Sequence, residues 1–409
     1  MRISVPNNYS LYFLCLAFGG LAFMAPYASN GTVVLLSVGV LGIIGNLTYG
    51  FQFCRKALRT PLGIALAMLL LWLFLSLSWS TVDVAETARS AVALVILCLI
   101  GLLFIAAIEK LDERQTRIVQ TIAIISVVMM AGLFLLEWLS QGAIAKILKG
   151  NDGLRIDSVG RGLSILVCTV WPVACLMLRR FGKVFLVSVF LILVGATAYP
   201  YPNEAMFLSF LIGLFTFVAC LISRRVAISF IFGVFAILVL AGPIVAKAVM
   251  EVPEIKNQAI KILGYRQHRI NIWHYVATLI EERPIVGHGF EASRPFGAEE
   301  NQFYLETREQ LGHSRFRIRL PLHPHNIPLQ IWLELGFIGI LFYLGILFGI
   351  IRTIWTWRGP KVWAAALGAS TASFLTVSSL SFGAWQNWWI ATAWLTAGAI
   401  VLSRRAIKD

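Results

Sequence analysis

Hydrophobic residues of this chain are gathered in long segments that short polar stretches separate. Most of these segments hold roughly 17 to 22 residues, the length at which an α-helix crosses a hydrocarbon layer about 30 Å thick. A membrane β-barrel would instead show short segments of alternating polarity. The pattern predicts an all-α polytopic membrane protein with about twelve spans, over residues 11–28, 33–51, 61–79, 90–108, 118–139, 162–178, 184–199, 205–222, 227–246, 326–351, 362–381 and 384–402.

The composition agrees with a membrane location. Hydrophobic residues make up 58% of the chain and charged residues 13%, whereas soluble domains average about 45–50% and about 25%. The six cysteines lie in or beside predicted spans, without the spacing of a disulfide framework or a metal site, and are expected to be buried apolar side chains. The first segment is expected to be a retained helix rather than a cleaved signal peptide.

The basic residues predict the orientation of the spans. Just over half of the 34 Lys and Arg residues fall in alternate connections, which the twelve-span count places on one side of the membrane. The positive-inside rule makes that side cytoplasmic. Both termini are then cytoplasmic. The chain divides into a nine-helix membrane region (1–246), an external loop (247–325) and a three-helix membrane region (326–409).

Two external segments carry basic residues against this trend. The connection at 140–161 ends in Arg161, and the long loop holds eleven Lys and Arg residues. Basic residues held at the outer membrane surface indicate an anionic lipid headgroup or a phosphorylated substrate. A solvated loop surface is the alternative, because long loops cross the membrane regardless of their charge.

All six histidines lie between residues 268 and 325. Histidine is the side chain best suited to exchange protons near neutral pH. His325 stands at the predicted start of the tenth span, with Asn326 as its helix cap. Proton transfer is its expected role, with a purely structural histidine as the alternative. His323, His325 and His313 also raise the possibility of a zinc site, but no Cys or carboxylate completes the ligand set, so no metal is expected.

Residues 266–282 predict an amphipathic helix. Arg266, Arg269 and Trp273 recur at spacings of three and four residues and therefore share one face. Such a face is typical of the membrane surface, where the indole lies at headgroup depth and the guanidinium points toward the aqueous phase.

Two further motifs of the loop favour anion binding. Residues 315–319 alternate between Arg and apolar side chains, so an extended conformation puts Arg317 and its two flanking arginines on one side. A guanidinium binds phosphate through two parallel hydrogen bonds, so these arginines are candidates to bind a phosphorylated substrate. Contact of the same arginines with lipid headgroups, at the rim of the loop, is an equally favoured alternative. Gly287 and Gly289 predict a turn that brings backbone N–H groups close to a ligand.

Glu334 is an unusual carboxylate within a predicted span. Nine residues from His325 amount to about 900° of helical rotation, so Glu334 is expected to face away from His325 and to bind a neighbouring helix. Gly336 and Gly339 are expected to thin the same helix for close packing.

These motifs resemble those of the O-antigen ligase and polymerase superfamily. The resemblance rests on His325-Asn326 followed after nine residues by Gly336-x-x-Gly339, on Arg269-x-x-x-Trp273, and on Pro284-x-x-Gly287-x-Gly289. The layout, with one large periplasmic loop before the third span from the end, is similar as well. One difference is Ile340, where the family motif usually has Thr or Val.

The resemblance implies a GT-C-like fold with a periplasmic catalytic loop in the bacterial inner membrane. It implies inverting, metal-independent transfer of a glycan from undecaprenyl pyrophosphate to a sugar hydroxyl, without a cofactor. The acceptor would be lipid A-core in a ligase, which is the preferred hypothesis, or a second lipid-linked glycan in an O-antigen or exopolysaccharide polymerase. The implied partners are these lipid-linked substrates and membrane lipids, with no nucleic acid.

The resemblance also implies roles for individual residues. His325 would accept the proton of the acceptor hydroxyl, and Arg269 would neutralise charge on the pyrophosphate leaving group. Many members carry a Ser-Arg pair where this chain has residues 199–204, which include no arginine. We expect Arg161 to replace that arginine. Further pyrophosphate contacts are expected from Arg266 and Arg317, with support at the site from Trp273, His323, Asn326, Gly287 and Gly289.

A membrane transporter is the alternative from another functional class, since twelve spans with cytoplasmic termini are common among transporters. Transporter sites lie near the bilayer midplane, commonly at broken helices. Here the charged residues inside predicted spans are few, and the two halves show no repeat. The polar chemistry is concentrated in the loop, which favours an enzyme.

Overall fold

The fold is helical almost throughout. The computed structural model describes residues 8–150, 156–201, 204–263, 267–297, 303–305, 316–318 and 322–405. The helices are α1 (Asn8–Gly19), α2 (Leu21–Tyr27), α3 (Thr32–Val40), α4 (Leu47–Ala57), α5 (Pro61–Ser76), α6 (Val84–Glu109), α7 (Glu113–Leu139), α8 (Ala143–Lys149), α9 (Ile156–Phe181), α10 (Val184–Ala198), α11 (Glu204–Glu251), α12 (Pro253–Leu263), α13 (Gln267–Glu282), α14 (Ile327–Thr356), α15 (Lys361–Leu380) and α16 (Asn387–Arg404). Two short strands, β1 (Phe303–Leu305) and β2 (Phe316–Ile318), pair antiparallel with Tyr304 opposite Arg317.

The membrane-spanning character of the chain is confirmed. Nine helical segments among the described residues are long and apolar enough to cross a membrane. Every predicted span falls on a helix, but the match is not one to one. The eighth and ninth spans share α11, which bends at Ser223 (φ −140°, ψ 88°) instead of forming a loop, and the seventh is the 15-residue α10. The class is therefore an all-α polytopic membrane protein, and the count of twelve stays a prediction.

Helix α9 lies at the centre of the bundle, and 89% of the residues in its apolar stretch are buried. Trp171 in its middle is fully buried, and its Nε1 donates to Oγ of Ser373 on α15 (2.9 Å). Helix α15 is rich in alanine and serine on its buried face, which lets helix backbones approach closely where lipid supplies no hydrophobic driving force. Five of the six cysteines are buried, as the sequence predicted.

The predicted cytoplasmic connections meet at one end of the bundle. Nη1 of Arg179 donates to the carbonyl of Ser403 (2.6 Å), and Arg405 donates to the carbonyls of Ile108 and Leu111. Helix α15 begins at Lys361 near this basic end. Its 20 residues correspond to about 30 Å, so its last residue lies near the other end of the bundle.

Part of the predicted external loop, helix α13, packs against the bundle. The proposed boundary at 246/247 falls inside α11, and α13 confirms the helix predicted at 266–282. Its residues Ile272, Val276 and Ile280 are buried against α11 and α14. One face of helix α13 is therefore packed against the bundle, and its location at the membrane surface stays a prediction.

Candidate active site

Helix α14 is interrupted at Gly336, whose backbone (φ 65°, ψ −165°) is not helical. The turn segment, residues 284–290, supplies the hydrogen bonds that the helix loses. The N–H of Gly289 donates to the carbonyl of Glu334 (2.8 Å), and the N–H of Phe337 donates to the first carbonyl of the turn segment (2.9 Å). The turn segment is thus inserted into the break of the helix.

Glycines make this close approach possible. A Cβ on Gly287 would lie 2.4 Å from the carbonyl oxygen of Glu334, and a Cβ on Gly336 would lie 2.3 Å from that of Ile285. The interpretation of Gly287 and Gly289 as ligand-facing is therefore wrong in this structure, because both N–H groups donate to protein carbonyls. Gly336 likewise breaks its helix instead of thinning it.

Glu334 connects three parts of the site. It is fully buried, and its carboxylate accepts hydrogen bonds from the N–H of Glu291 (3.0 Å), Nε2 of Gln330 (3.0 Å), Nε1 of Trp385 (2.6 Å) and Oγ of Ser293. Oε1 of Gln330 in turn accepts from the N–H of Ala384 (2.8 Å). The partners of Glu334 outside α14 lie on two connecting segments rather than on a neighbouring helix, and the segment that holds Trp385 also contacts His325 through the carbonyl of Ser381.

Arg269 and His325 converge on the last turn of α15. Nη1 of Arg269 donates to the carbonyl of Leu380 (2.6 Å), and Nδ1 of His325 lies 2.7 Å from the carbonyl of Ser381. Because a carbonyl only accepts, Nδ1 carries the proton, and a neutral imidazole then has its lone pair on Nε2. The negative end of the helix dipole favours both contacts. The structure thus brings together the two residues predicted to be catalytic.

The backbone around His325 is held in an uncommon conformation. His325 has φ 55°, a left-handed value that is uncommon for residues other than glycine. Oδ1 of Asn326 accepts from the N–H of Leu329 (3.0 Å), which confirms the predicted helix cap. Nε1 of Trp273 donates to the carbonyl of Pro324 (3.0 Å). Trp273 therefore positions the histidine segment.

His323 supports His325 from one side. Its Nδ1 accepts a hydrogen bond from the N–H of His325 (3.2 Å), so the neutral ring carries its proton on Nε2. Nε2 of Gln386 lies 3.0 Å from that atom. Because two N–H groups cannot bond to each other, the amide is assigned the opposite orientation, in which its otherwise unpartnered Oε1 accepts the proton. Burial, and secondarily the nearby His325, lower the pKa of His323 to about 3. His323 is therefore neutral at physiological pH.

An apolar groove of about 670 Å³ begins beside these residues. Side chains of α11, α13, α14 and α15 line it almost entirely with hydrocarbon, and Trp273, Asn326 and Leu380 lie along it. The volume is within the range of small-molecule binding sites. The groove therefore joins the Arg269 and His325 pair to the hydrophobic layer.

The other predicted arginines are not equally placed. Arg161 is half-buried on α9, and its Nε is buried without a hydrogen-bond partner among the described residues. Oγ of Ser370 donates to the carbonyl of Cys168 (3.1 Å). From this bond, Arg161 lies about 10 Å along α9, in the direction in which the antiparallel α15 runs to its C-terminal end. Arg161 is therefore level with a point about one helical turn before the end of α15. Arg266 lies outside the described residues, and Arg317 lies in β2, where the side chain is not described.

Three groups of the site escaped sequence analysis. The carbonyls of Leu380 and Ser381 carry no side-chain signal, since any residue supplies a carbonyl. Gln386 was assigned to the twelfth span, yet α16 begins at Asn387. In the sequence, only the position of Gln386 next to Trp385, at the start of the predicted span, could have indicated that its amide belongs to the site.

Comparison with known proteins finds a family match that overlaps this site. Residues 189–344 match the family model described as O-Antigen ligase, a stretch that contains Arg269, Trp273 and His325 but neither Arg161 nor the end of α15. A protein of Rickettsia conorii named "Putative polysaccharide ligase" is 29% identical over 277 residues, which cover 68% of this chain and 64% of that protein. Similar proteins with that name occur in Rickettsia felis (28%, 68% and 64%) and Rickettsia prowazekii (27%, 68% and 65%).

The chain spans just under two thirds of the length of these relatives. The matched stretch begins in α10 and ends in α14, and it includes the turn segment and the break at Gly336. These findings confirm the resemblance to the O-antigen ligase superfamily that the motifs indicated, over residues 189–344.

Proposed function

We propose that this protein is an O-antigen ligase-like glycosyltransferase. It moves a glycan from undecaprenyl pyrophosphate to a hydroxyl group of lipid A-core, at the periplasmic face of the bacterial inner membrane. The observation that carries the proposal is the convergence of Arg269 and His325 on adjacent carbonyls at the end of α15, beside an apolar groove. An anion-binding group, a proton acceptor and a lipid-binding surface thus lie together.

The reaction follows from these positions. The acceptor hydroxyl attacks the anomeric carbon of the donor glycan, and Nε2 of His325 takes the hydroxyl proton. The bond between that carbon and the pyrophosphate oxygen breaks, and undecaprenyl pyrophosphate leaves with the bonding electrons. Attack opposite the leaving group inverts the anomeric centre. General base catalysis of this kind contributes about 10²–10⁴-fold to the rate.

The arginines stabilise the departing pyrophosphate. A guanidinium has five N–H donors, so the bond from Arg269 to Leu380 is compatible with further contacts to a phosphate. Arg161 is the second proposed cation, since its buried Nε is a donor that needs an acceptor. Charge developing on the leaving group is the feature that a preorganised site stabilises most.

The apolar groove accommodates the start of the polyprenyl chain. Its lining of α11 and α14 side chains is continuous with exposed apolar surface of the same helices. Burial of hydrocarbon is favourable by about 25 cal/mol per Å². Binding of the lipid chain there fixes the pyrophosphate beside Arg269 without using the polar groups that the reaction needs.

The test uses purified protein in liposomes that contain a lipid-pyrophosphate-linked glycan. The donor is offered with lipid A-core in one reaction and alone in another, and products are separated by size. A single product that requires lipid A-core is the expected result. A ladder from the donor alone would identify a polymerase, and absence of any glycosidic product in both reactions would contradict the proposal.

Two variants connect that activity with the site. His325→Ala should lower the transfer rate by at least about 100-fold. The control His274→Ala, on the same helix as Arg269 but outside the site, should leave the rate near normal. Arg269→Lys keeps the charge but loses the planar fork, so a large loss is expected. Normal turnover by His325→Ala in correctly inserted protein would exclude the assigned base.

A further inference from the structure

A second cavity lies at the basic end of the bundle, far from His325. Its volume is about 750 Å³, and it lies between the bend of α11 and the end of α14. Four cationic and two tryptophan side chains line it, and no Asp or Glu is among the described residues around it. The cations are Arg224, Arg225, Arg358 and Lys361, and the tryptophans are Trp355 and Trp357.

No carboxylate among the described residues neutralises the cations of this basic cavity. None of the four forms an ion pair within the described part of the chain. Nη2 of Arg224 donates to the carbonyl of Trp355 (3.3 Å), but its Nε is buried without a hydrogen-bond partner in the described residues. The guanidinium of Arg225 lies 5.6 Å from the centre of the Trp355 ring. Buried donors of this kind are normally satisfied, which indicates an external acceptor.

The bend of α11 creates the cavity. Ser223 has non-helical angles (φ −140°, ψ 88°) in the middle of a 48-residue helix. A straight helix would continue past the end of α14. The bend instead sets Arg224 and Arg225 beside Trp355. The two arginines therefore face the last turn of α14.

The surroundings of the basic cavity are strongly apolar. Ile222 is 76% exposed and Val226 is 68% exposed, directly beside the two arginines. Exposed apolar residues at the end of a membrane-spanning helix contact lipid chains, and tryptophans are enriched at the level of lipid headgroups. A ligand of this cavity therefore has an anionic group and a hydrocarbon part.

We propose that the basic cavity binds the phosphodiester headgroup of an anionic phospholipid, in the leaflet opposite the candidate active site. The guanidiniums of Arg224 and Arg225 bind the phosphate oxygens, because arginine matches their geometry with parallel N–H donors. Basic pockets between membrane helices are suited to such headgroups. The site is independent of the proposed transfer reaction, since none of its residues belongs to the active site.

The test measures thermal unfolding of the purified full-length protein in detergent with added lipid. Cardiolipin or phosphatidylglycerol should raise the midpoint by at least a few degrees, whereas phosphatidylcholine should not. The double variant Arg224→Gln/Arg225→Gln should lose this shift. The matched control Arg55→Gln/Arg59→Gln removes two exposed charges at the same end, outside the cavity, and should keep it.

Each other outcome contradicts the proposal. An equal shift with phosphatidylcholine would mean no recognition of the anionic headgroup. Loss of the shift in the control variant would mean that net basic charge acts, not this cavity. An equal shift with inorganic phosphate alone would identify a soluble anion instead of a lipid. If the Arg224→Gln/Arg225→Gln protein does not fold, native mass spectrometry of the wild-type protein tests the proposal instead. The protein must then retain bound anionic lipid in preference to zwitterionic lipid.

Discussion

At the residue scale, the site depends on where two neighbouring histidines hold their protons. Nδ1 of His325 faces a carbonyl, whereas Nδ1 of His323 faces the N–H of His325. Opposite tautomers are therefore required, with the proton on Nδ1 in His325 and on Nε2 in His323. This arrangement leaves His325 with an Nε2 lone pair, the feature a base needs.

The low pKa of His323 makes stability depend on pH. In the unfolded chain this histidine binds a proton below about pH 6.5, whereas in the folded protein its pKa is about 3. Between these values the unfolded state holds more protons, so the free energy of unfolding falls as the pH falls. His323→Asn, which keeps an acceptor near Nδ1 but does not titrate, should weaken this dependence.

The measurement is the unfolding midpoint from pH 7 to pH 4 for both proteins. Identical slopes would mean that His323 is protonated normally in the folded state. His274→Asn, on α13 and outside the site, is the matched control and should follow the wild type.

At the element scale, the break in α14 is a structural requirement. Gly336 combines a positive φ with a Cβ position 2.3 Å from a carbonyl oxygen. We expect Gly336→Ala to lower the free energy of unfolding by about 1–3 kcal/mol from backbone strain alone, and more from the contact. Gly132→Ala on α7, where a Cβ meets nothing within 4 Å, should be neutral or stabilising. Chemical or thermal unfolding in detergent distinguishes the two, and equal stability of both variants would contradict the insertion of the turn segment.

Glu334 has a positioning role, because its carboxylate joins α14 to two connecting segments of the site. Its removal in Glu334→Ala leaves four buried donors without their acceptor, so a loss of about 3 kcal/mol or more is expected. Glu334→Gln keeps the volume of the side chain and one acceptor oxygen, so it should be destabilised less than Glu334→Ala. Trp385, which donates to Glu334, precedes Gln386 in the chain, so the change should shift Gln386 and with it His323. We therefore expect a lower transfer rate at unchanged donor affinity. Glu113→Ala, at an exposed position, should change stability by less than about 0.5 kcal/mol. Unfolding midpoints with the kcat and KM of transfer separate these effects, and a fully active, stable Glu334→Ala would refute the positioning role.

At the scale of the whole molecule, the candidate active site and the basic cavity lie at opposite ends of the helix bundle. The orientation proposed from the basic residues puts the site in the periplasm and the cavity in the cytoplasm. Leu322 is 73% exposed beside the site, and Arg358 is exposed beside the cavity. Variants with one added cysteine at either position report the orientation.

A membrane-impermeant maleimide should label Leu322→Cys in spheroplasts, whereas Arg358→Cys should react only after the membrane is opened. The native cysteines provide little background, since five of six are buried. The reverse labelling pattern would overturn the orientation and with it the periplasmic assignment of the site.

Much of the fold was predictable because membrane helices satisfy their own hydrogen bonds and need only a local run of apolar residues. The sequence therefore located the spans, the helix at 266–282 and the cap at Asn326. It also located Arg269, Trp273 and His325, since charged and aromatic residues are conspicuous beside apolar segments. It did not locate the bend at Ser223, because four residues between two apolar runs fit a loop as well as a bend.

The sequence by itself determined the class of this protein and indicated the residues that are proposed to carry its chemistry, because apolar length and residue type are local properties. Only the tertiary structure decided how these residues are used. The insertion of the turn segment at Gly336, three of the four bonds to Glu334 and the meeting of Arg269 with His325 at α15 join residues more than 40 positions apart. Such contacts depend on how helices pack against each other. The identity of a residue that contributes only a backbone carbonyl, or of a glycine, does not reveal which distant residue it contacts.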